Sequence, residues 1–257
     1  MQRQDQEFIV SKLANLGVMD KLAGKRILVT GGTGFVGRWL DVDGLDIARL
    51  DRHDFTVAMF GSWDYIIHAA PLRYLDAIKC AEKNNAKLLY ISSGAVYDGP
   101  PTTLGDVKRA YEAEKPNATI ARLFTIAGYG ARECNRFALD TWIRQGMAGE
   151  PLTVFNDGLS VRTYIYGADM AVWLLTILAN GDGVYDVGGI ERVRMCDVAM
   201  HIAQRFNVSF KHVDGPLDAR PGYAPKQPMR ASELGLEIWT PWREAIDKTI
   251  EEYKANA

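Results

Sequence analysis

The feature that most constrains this chain is a buried-type strand that ends in a cluster of glycines. The run Arg26-Ile-Leu-Val-Thr30 is typical of a strand inside a parallel sheet. It is followed by Gly31-Gly-Thr-Gly34-Phe-Val-Gly37, and a helix is predicted to begin near Phe35. Glycines let the backbone turn tightly and approach a ligand, and a helix N-terminus offers N–H donors and partial positive charge. Strand, turn and helix in this order predict a loop that binds the pyrophosphate of a dinucleotide.

Further along the chain, short apolar runs alternate with helical patterns, which predicts βαβ units. More strands are predicted at Leu45–Leu50, Tyr65–His68, Leu88–Ile91, Thr119–Phe124 and Val184–Val187. Helices are predicted at 7–22, 74–83, 106–115, 137–147, 168–178, 196–206 and 242–253. The expected fold is α/β, a Rossmann-type doubly wound parallel sheet with a small C-terminal substrate-binding lobe. We expect a helical leader over 1–24, a shortened dinucleotide-binding domain over 25–130 and a mixed C-terminal region over 131–257.

Composition narrows the class of protein. The chain has 257 residues, 47% of them hydrophobic, which is enough for a full core and argues against disorder. A net charge of −2 gives no reason to expect a nucleic-acid partner. Three widely spaced cysteines suit neither a disulfide framework nor a zinc site. There is no long apolar run and no signal-peptide pattern, so we expect a cytoplasmic protein without a membrane partner.

Several motifs in a fixed order resemble the extended short-chain dehydrogenase/reductase family. The spacing Gly-x-x-Gly-x-x-Gly is similar to the glycine loop of its nucleotide-sugar epimerase and dehydratase branch. The resemblance continues through Ile67-His-Ala-Ala70, Tyr90-Ile-Ser-Ser-Gly-Ala-Val-Tyr97, Arg122-Leu-Phe, Val161-Arg-Thr-Tyr-Ile-Tyr-Gly-Ala-Asp169 and Tyr185-Asp-Val-Gly-Gly189. It covers about residues 25–253. It implies NAD as the cofactor, with NADP not excluded, a nucleoside-diphosphate sugar as the substrate and a homodimer.

The same resemblance implies which residues contact the cofactor. They are Gly31, Thr33, Gly34, Phe35, Val36, Gly37, Asp51, Arg52, His68, Ala69, Ala70 and Ile91. Only one strand is predicted between Gly37 and His68, where the family fits two more β-α units, so the adenosine side is expected to be shortened. If that strand is the second of the sheet, Asp51 accepts from the adenosine ribose and favours NAD over NADP. If it matches the end of the third strand, Asp51 faces the adenine amino group.

The catalytic residues implied by the resemblance are a Ser or Thr, a Tyr and a Lys. Ser93 matches the serine. Tyr111 and Lys115 match Tyr-x-x-x-Lys literally, but the helix that should follow this tyrosine needs roughly 13 residues. Too few remain before the strand predicted from Thr119. The alternative places Lys108 at the lysine position.

That alternative leaves Leu104 where the tyrosine belongs. Lys108 and Lys115 therefore both stay candidates. The proton-transferring phenol is supplied by Tyr111 or Tyr97, or it is missing.

In the substrate lobe, Arg162 and Arg220 match arginines that bind the nucleotide diphosphate in the family, and Asn135 matches an asparagine near it. A guanidinium suits this task because its planar fork pairs with phosphate oxygens. Gly94 and Ala95 stand where family dehydratases and decarboxylases carry a carboxylate, which disfavours a 4,6-dehydratase. The expected activity is an epimerase or a ketosugar reductase. The alternatives are a catalytically silent relative that binds cofactor or sugar nucleotide, and a structural or partner-binding domain.

Overall fold

The structure is a computed structural model that describes residues 1–51, 55–71, 73–97, 103–114, 117–130, 137–215, 222–227 and 229–257. Its strands are β1 Arg26–Thr30, β2 Asp46–Leu50, β3 Tyr65–His68, β4 Lys87–Ser93, β5 Ala118–Leu123, β6 Thr125–Ala127, β7 Leu152–Phe155, β8 Val161–Arg162, β9 Tyr164–Tyr166, β10 Val184–Val187, β11 Val193–Arg194, β12 Phe210–Val213 and β13 Gly222–Tyr223. Its helices are α1 Arg3–Asn15, α2 Val18–Leu22, α3 Phe35–Arg38, α4 Phe55–Phe60, α5 Tyr74–Asn84, α6 Thr103–Ala113, α7 Ala138–Met147, α8 Gly167–Asn180, α9 Met195–Phe206, α10 Met229–Ser232 and α11 Trp242–Ala255.

The chain forms two compact units, each assembled from separate stretches of sequence. The first unit contains Met1–Leu123, Gly167–Val187 and Lys226–Glu237. The second contains Phe124–Tyr166, Gly188–Pro225 and Ile238–Ala257. The chain therefore passes between the units several times. The proposed boundaries at 24/25 and 130/131 stay predictions.

The first unit is built on a six-stranded parallel sheet with the strand order β10-β5-β4-β3-β1-β2. This confirms the predicted doubly wound α/β class. After β1 the chain adds β2 on one side and then returns to add β3 on the other side, so the strand order reverses between β1 and β3. Ligands of such sheets bind at this reversal, outside the carboxyl ends of the strands.

The register of the sheet brings three chain segments to the same edge. Thr30 lies opposite Leu50 on one side and opposite His68 on the other. The residues that directly follow these three strands therefore lie next to one another at the same edge of the sheet. They are the glycine turn, Asp51 and Ala69. The strand before Asp51 is therefore the second strand of the sheet, next to β1, and the contact between Asp51 and the adenosine ribose stays a prediction.

Apolar side chains cover the sheet, and the helix pair before β1 is part of this core. One cluster contains Leu28, Ile66, Ala77, Cys80 and Leu88. On α1 and α2, both of which pack against α8, four apolar residues are fully buried: Ile9, Leu13, Val18 and Leu22. The leader is therefore integral to the first unit.

The prediction of a single helix over 7–22 is wrong, because the structure has two helices there. Gly17 has φ 65°, which breaks the helix into α1 and α2. The left-handed conformation suits glycine because it has no Cβ.

The second unit contains three small sheets, ordered β11-β8-β13, β12-β7 and β6-β9. Its helices α7 and α9 pack closely against each other. A Cβ on Gly146 would lie 2.3 Å from Cδ2 of Phe206, so only glycine permits this distance. In the described part of the chain, no helix has the length and apolar character needed to cross a membrane.

Candidate functional site

The glycine turn after β1 has the tight geometry that its sequence predicts. The amides of Gly31 and Gly32 both donate to the Leu50 carbonyl, at 2.8 and 3.1 Å. Gly31 has φ 73°, and a Cβ there would lie 2.9 Å from the amide nitrogen of Ala70. A Cβ on Gly37 would lie 2.5 Å from the Gly31 carbonyl oxygen. The turn is therefore packed against the end of β3, and α3 begins directly above the strand reversal.

The turn fits a dinucleotide in backbone shape. The first amides of a helix have no carbonyl of their own helix to donate to, so those at the start of α3 are oriented for an anion. Arg38 Nε donates to the Thr33 carbonyl at 2.8 Å, which fixes the turn from outside. Asp51 is half-buried at the end of β2. Arg52, another predicted cofactor contact, lies outside the described residues.

Beside the turn, β3 and β4 carry a buried aromatic cluster. The Thr30 hydroxyl and Nδ1 of His68 are joined by a hydrogen bond of 2.7 Å. The His68 ring stacks at 6.0 Å on Tyr90, and Tyr74 lies 4.7 Å from Tyr90. Tyr111 stacks on Tyr74 at 4.5 Å, measured between ring centroids. His68 is fully buried within this cluster. The predicted contact between its imidazole and a cofactor stays a prediction.

Burial controls the acidity of this cluster. Burial raises the pKa of Tyr90 far above its usual value. The pKa of Tyr74 is raised to about 12, mainly by burial and to a smaller extent by the negative charges of Glu114 and Glu112. Both phenols therefore stay protonated near neutral pH. Neither has the acidity that proton exchange with a substrate requires.

Ser93 and Lys108 lie at the carboxyl end of β4. Ser93 is the last residue of the strand, and its Oγ accepts the amide of Ala95 at 3.2 Å. Lys108 Nζ donates to the Ile91 carbonyl at 2.7 Å and lies 4.6 Å from the Tyr90 ring centroid. Lys108 is buried, with 7% of its surface exposed. This burial, opposed in part by Glu112, lowers the pKa of Lys108 to about 8.

The helix α6 bears on the choice between the two lysines. It runs from Thr103 to Ala113, so Tyr111 lies in its last turn, and Lys115 falls after its end and outside the described residues. Leu104 lies in the first turn, with 49% of its surface exposed. Tyr111 packs on Tyr74, whose hydroxyl donates to the Tyr111 carbonyl at 3.2 Å.

A buried polar network, which sequence reasoning did not single out, lies next to Ser93. The hydroxyl of Ser92 donates to Oε1 of Glu112 at 2.5 Å, and Arg122 forms an ion pair with the same carboxylate. Arg122 Nη1 donates to the Tyr97 hydroxyl at 2.7 Å, and Tyr97 donates to Asp186 at 2.9 Å. These residues come from β4, α6, β5, β10 and the short 3-10 helix Gly94–Tyr97.

The sequence did contain a signal for this network. Ser92, Tyr97, Arg122 and Asp186 all belong to motifs that carried the family resemblance, and three of them are polar residues in otherwise apolar strand segments. Their partners come from elements that are distant in sequence. The pairing therefore could not be derived without the fold.

In the second unit, Arg162 lies on β8. Its Nη1 donates to the neighbouring Val161 carbonyl at 2.9 Å, and its guanidinium lies 5.9 Å from the Tyr223 ring centroid. Asn135 and Arg220 lie outside the described residues. Among the described residues, no group of His, Cys, Asp and Glu side chains is placed to hold a metal ion.

A family model matches part of the chain. The model of the NAD dependent epimerase/dehydratase family matches residues 105–188, which include Lys108, β5 and β10. Over these residues the chain is similar to the NAD-dependent epimerase/dehydratase family. This confirms the predicted resemblance to extended short-chain dehydrogenases/reductases.

Two relatives show how the chain compares with whole members of the epimerase/dehydratase family. UDP-glucuronic acid decarboxylase 1 of Danio rerio is 24% identical, over 88% of this chain and 72% of its own. A trifunctional UDP-glucose 4,6-dehydratase/UDP-4-keto-6-deoxy-D-glucose 3,5-epimerase/UDP-4-keto-L-rhamnose-reductase of Arabidopsis thaliana is 30% identical over 50% of this chain. The matched region spans 20% of that plant protein.

Solved structures of epimerases share the fold. An epimerase from Methanothermobacter thermautotrophicus has a TM-score of 0.82 at 17% identity, covering 93% of this chain and 96% of that one. The UDP-glucose 4-epimerase of Thermus thermophilus, solved with NAD, has a TM-score of 0.77 at 19% identity, covering 90% and 100%. The doubly wound architecture is therefore that of epimerase/dehydratase structures.

Proposed function

We propose that this protein is an NAD-dependent nucleotide-sugar epimerase or ketosugar reductase, which transfers hydride at a sugar carbon of a nucleoside-diphosphate sugar. The observation that carries the proposal is the arrangement at one sheet edge. The glycine turn lies at the strand reversal between β1 and β3, and Ser93 and Lys108 lie at the carboxyl end of the next strand, β4.

The proposed cofactor is NAD, which when bound supplies the hydride acceptor and donor. The amides of Phe35 and Val36, at the start of α3, are proposed to hold its pyrophosphate. Asp51 follows the strand next to β1 and is proposed to accept from the adenosine ribose, which favours NAD over NADP. NAD-bound members of this fold support the assignment.

Ser93 and Lys108 are the proposed catalytic pair. The Ser93 hydroxyl is proposed to hold the substrate oxygen, and the Lys108 ammonium to bind beside the nicotinamide ribose. Burial of Lys108 and its place on the helix support it over Lys115. The lack of a carboxylate at Gly94 and Ala95 favours an epimerase or reductase over the dehydratase and decarboxylase chemistry named for the two relatives.

The substrate class is proposed from relatives that act on UDP-sugars and from a Thermotoga maritima epimerase solved with UDP-glucose. Arg162, with Asn135 and Arg220, is proposed to bind the diphosphate. A cytoplasmic location belongs to the same proposal, because Cys80 and Cys196 are free thiols, as suits a reducing compartment. A homodimer through α5 and α6 is also proposed, with Leu75 exposed by 56% on the outer face of α5.

A second candidate is a silent relative that binds cofactor or sugar nucleotide without turnover. Leu104 favours it, because leucine carries no proton to exchange at the position that the family resemblance gives to tyrosine. The relatives named above are all enzymes, which supports turnover.

The test is calorimetric titration of the protein with NAD, NADH and NADPH. Micromolar binding is expected for the two NAD forms. Gly34→Asp is expected to abolish it, since it places a carboxylate in the turn, where a Cβ already meets the Gly31 carbonyl oxygen at 3.1 Å. Gly149→Asp adds the same charge at an exposed turn with open space and is the control. Because φ is 72° at Gly149, a side chain there is strained, and thermal unfolding of both variants is used to show that they are folded.

Binding followed by turnover of UDP-sugars supports the enzyme. Binding without turnover of any nucleoside-diphosphate sugar supports the silent relative. Absence of binding to all three dinucleotides rejects the oxidoreductase proposal.

A further inference from the structure

The 3-10 helix that follows Ser93 is held by polar contacts along its length. Its first turn is capped by Ser93 Oγ, which accepts the Ala95 amide. Arg109 Nη1 donates to the carbonyls of Ala95 and Val96, at 3.3 Å each. Tyr97 is its last residue. The direction of the Ser93 hydroxyl therefore depends on the position of this short helix.

The hydroxyl, the ring and the carbonyl of Tyr97 all make polar contacts. Its hydroxyl donates to Asp186 Oδ1 at 2.9 Å and accepts from Arg122 Nη1 at 2.7 Å. Two cations lie over its ring, the Arg122 guanidinium and the Lys226 ammonium, each 4.6 Å from the centroid. Lys226 Nζ also donates to the Tyr97 carbonyl at 3.4 Å.

Asp186 connects Tyr97 to a second segment of the first unit. Its Oδ2 accepts the amides of Lys226 and Gln227, at 2.8 and 2.9 Å. Only 2% of Asp186 is exposed, so these bonds replace contacts with water. Lys226 is the residue at which the chain re-enters the first unit. One buried carboxylate thus joins the helix after Ser93 to the re-entering segment.

This geometry argues against Tyr97 as the proton-transferring phenol. Its one proton is directed at Asp186. Burial first, and then the bond to Asp186, raises the pKa of Tyr97, so it keeps that proton near neutral pH. The contacts of Tyr97 instead fix the position of the 3-10 helix Gly94–Tyr97, which follows Ser93 directly.

We propose that Tyr97 is a positioning residue, whose bond to Asp186 fixes the turn after Ser93 and the Lys226–Gln227 segment in a single geometry. Removing the hydroxyl releases both segments together and misdirects the Ser93 hydroxyl. Only the kinetic consequence of this proposal rests on the proposed function. The coupling between the two segments is independent of turnover.

The first test is amide hydrogen exchange in Tyr97→Phe, which keeps the ring and removes the hydroxyl. Exchange at Ala95, Lys226 and Gln227 is expected to rise together by at least about tenfold, because a buried bond to a charged group is lost. Amides of β1 are expected to be unchanged. Tyr65→Phe removes a tyrosine hydroxyl from β3 in the same unit and is the matched control.

Asp186→Asn gives a second route to the same result. Asparagine keeps only one of the two oxygen acceptors of Asp186, so Asp186→Asn weakens either the bond from Tyr97 or the bonds from the Lys226 and Gln227 amides. If these bonds form one unit, exchange in the double variant Tyr97→Phe, Asp186→Asn is expected to rise by less than the sum of the two single effects. Exchange that rises only within Gly94–Tyr97, or that adds in the double variant, overturns the coupling.

The kinetic arm applies once a substrate is found. In Tyr97→Phe, kcat is expected to fall by about tenfold or more while KM for the cofactor and both limbs of the pH–rate profile stay in place. Loss of the basic limb would make Tyr97 the proton-transferring group and overturn the proposal, and so would an unchanged kcat. If the wild type turns over no substrate, the proposed function fails, and hydrogen exchange still decides the coupling.

Discussion

Lys108 shows how one buried charge shapes the candidate site. Its ammonium has three donors, and one of them is directed at the Ile91 carbonyl. Burial therefore disfavours the charged form, and this is why the pKa of Lys108 falls to about 8. Lys108, the proposed partner of the cofactor ribose, therefore lowers the stability of the fold when it is charged.

That cost is expected to depend on pH. Below about pH 8 the folded protein keeps the Lys108 proton and bears the full cost. Between pH 8 and 10.5 the unfolded chain still binds the proton while the folded chain releases it, so the folded state gains stability as pH rises. Relative to Lys108→Met, the wild type is expected to gain about 3 kcal/mol across this window.

Urea unfolding of both proteins at pH 7, 8, 9 and 10 measures this gain. Lys79→Met, on an exposed position of α5, is the matched control for loss of a lysine. A difference between wild type and Lys108→Met that is constant with pH would contradict the lowered pKa.

Leu104 gives a second prediction at this scale. It precedes Lys108 by one helical turn, so the two share a face of α6. Leu104→Tyr restores a phenol four residues before the lysine and is expected to raise turnover of a sugar nucleotide by about 100-fold. Leu104→Phe adds the ring without the proton and is the control. Equal rates in the two variants would show that the phenol is not what limits turnover.

The individual residues of the site were predictable to different degrees. Ser93 and the glycines follow from local spacing, because strand and turn fix their positions. The choice between Lys108 and Lys115 needed the end of α6, which the sequence alone left open. Glu112 was not among the predicted site residues, although the fold pairs it with Arg122. Such pairings depend on which helix covers which strand, and this is decided by packing of the whole sheet.

At the scale of elements, the helix pair before β1 is a structural part of the first unit. Leu13 on α1 is fully buried where the pair packs on α8. Leu13→Ala is expected to cost about 2–5 kcal/mol, because it leaves a cavity in a packed helix interface. Chemical denaturation measures this cost. Leu159→Ala, with the original side chain 52% exposed, is the same change outside a core and is expected to cost less than about 0.5 kcal/mol. A similar small effect at Leu13 would mean that the pair does not contribute to folding.

Elements were predicted well where the pattern was long. The strands of the main sheet and the helices α5, α7, α8, α9 and α11 lie within a few residues of their expected positions. The strands β8, β11 and β13 have two residues each and were not predicted, since two residues carry no alternation. The helix predicted to begin near Phe35 begins there and is one turn long.

For the whole molecule, the order of segments in space differs from their order in sequence. The central sheet needs β10, and α8 packs on β4, β5 and β10 with twelve buried residues. Both elements come after residue 160. The sequence predicted boundaries at 24/25 and 130/131, whereas the first unit also contains Gly167–Val187 and Lys226–Glu237.

A fragment of residues 1–130 is therefore expected not to fold. It lacks the outer strand β10 and the helix that buries one face of the sheet, so its apolar surface stays in water. Circular dichroism on heating is expected to show no cooperative transition for the fragment and a clear one for the full chain. A cooperative transition in the fragment would mean that the sheet is stable without α8.

The outer strand β2 has a consequence for how the molecule behaves in concentrated solution. Among the described residues it pairs only with β1, which leaves its other side as an open row of backbone donors and acceptors. Such edges recruit strands from other molecules unless charge or shortness prevents it. Here the strand has five residues and carries Asp46 and Arg49, the latter paired with Asp41 at 2.6 Å. Because the adenosine side is shortened, β2 is the edge strand of the sheet. Its charged residues are therefore what opposes edge-to-edge aggregation.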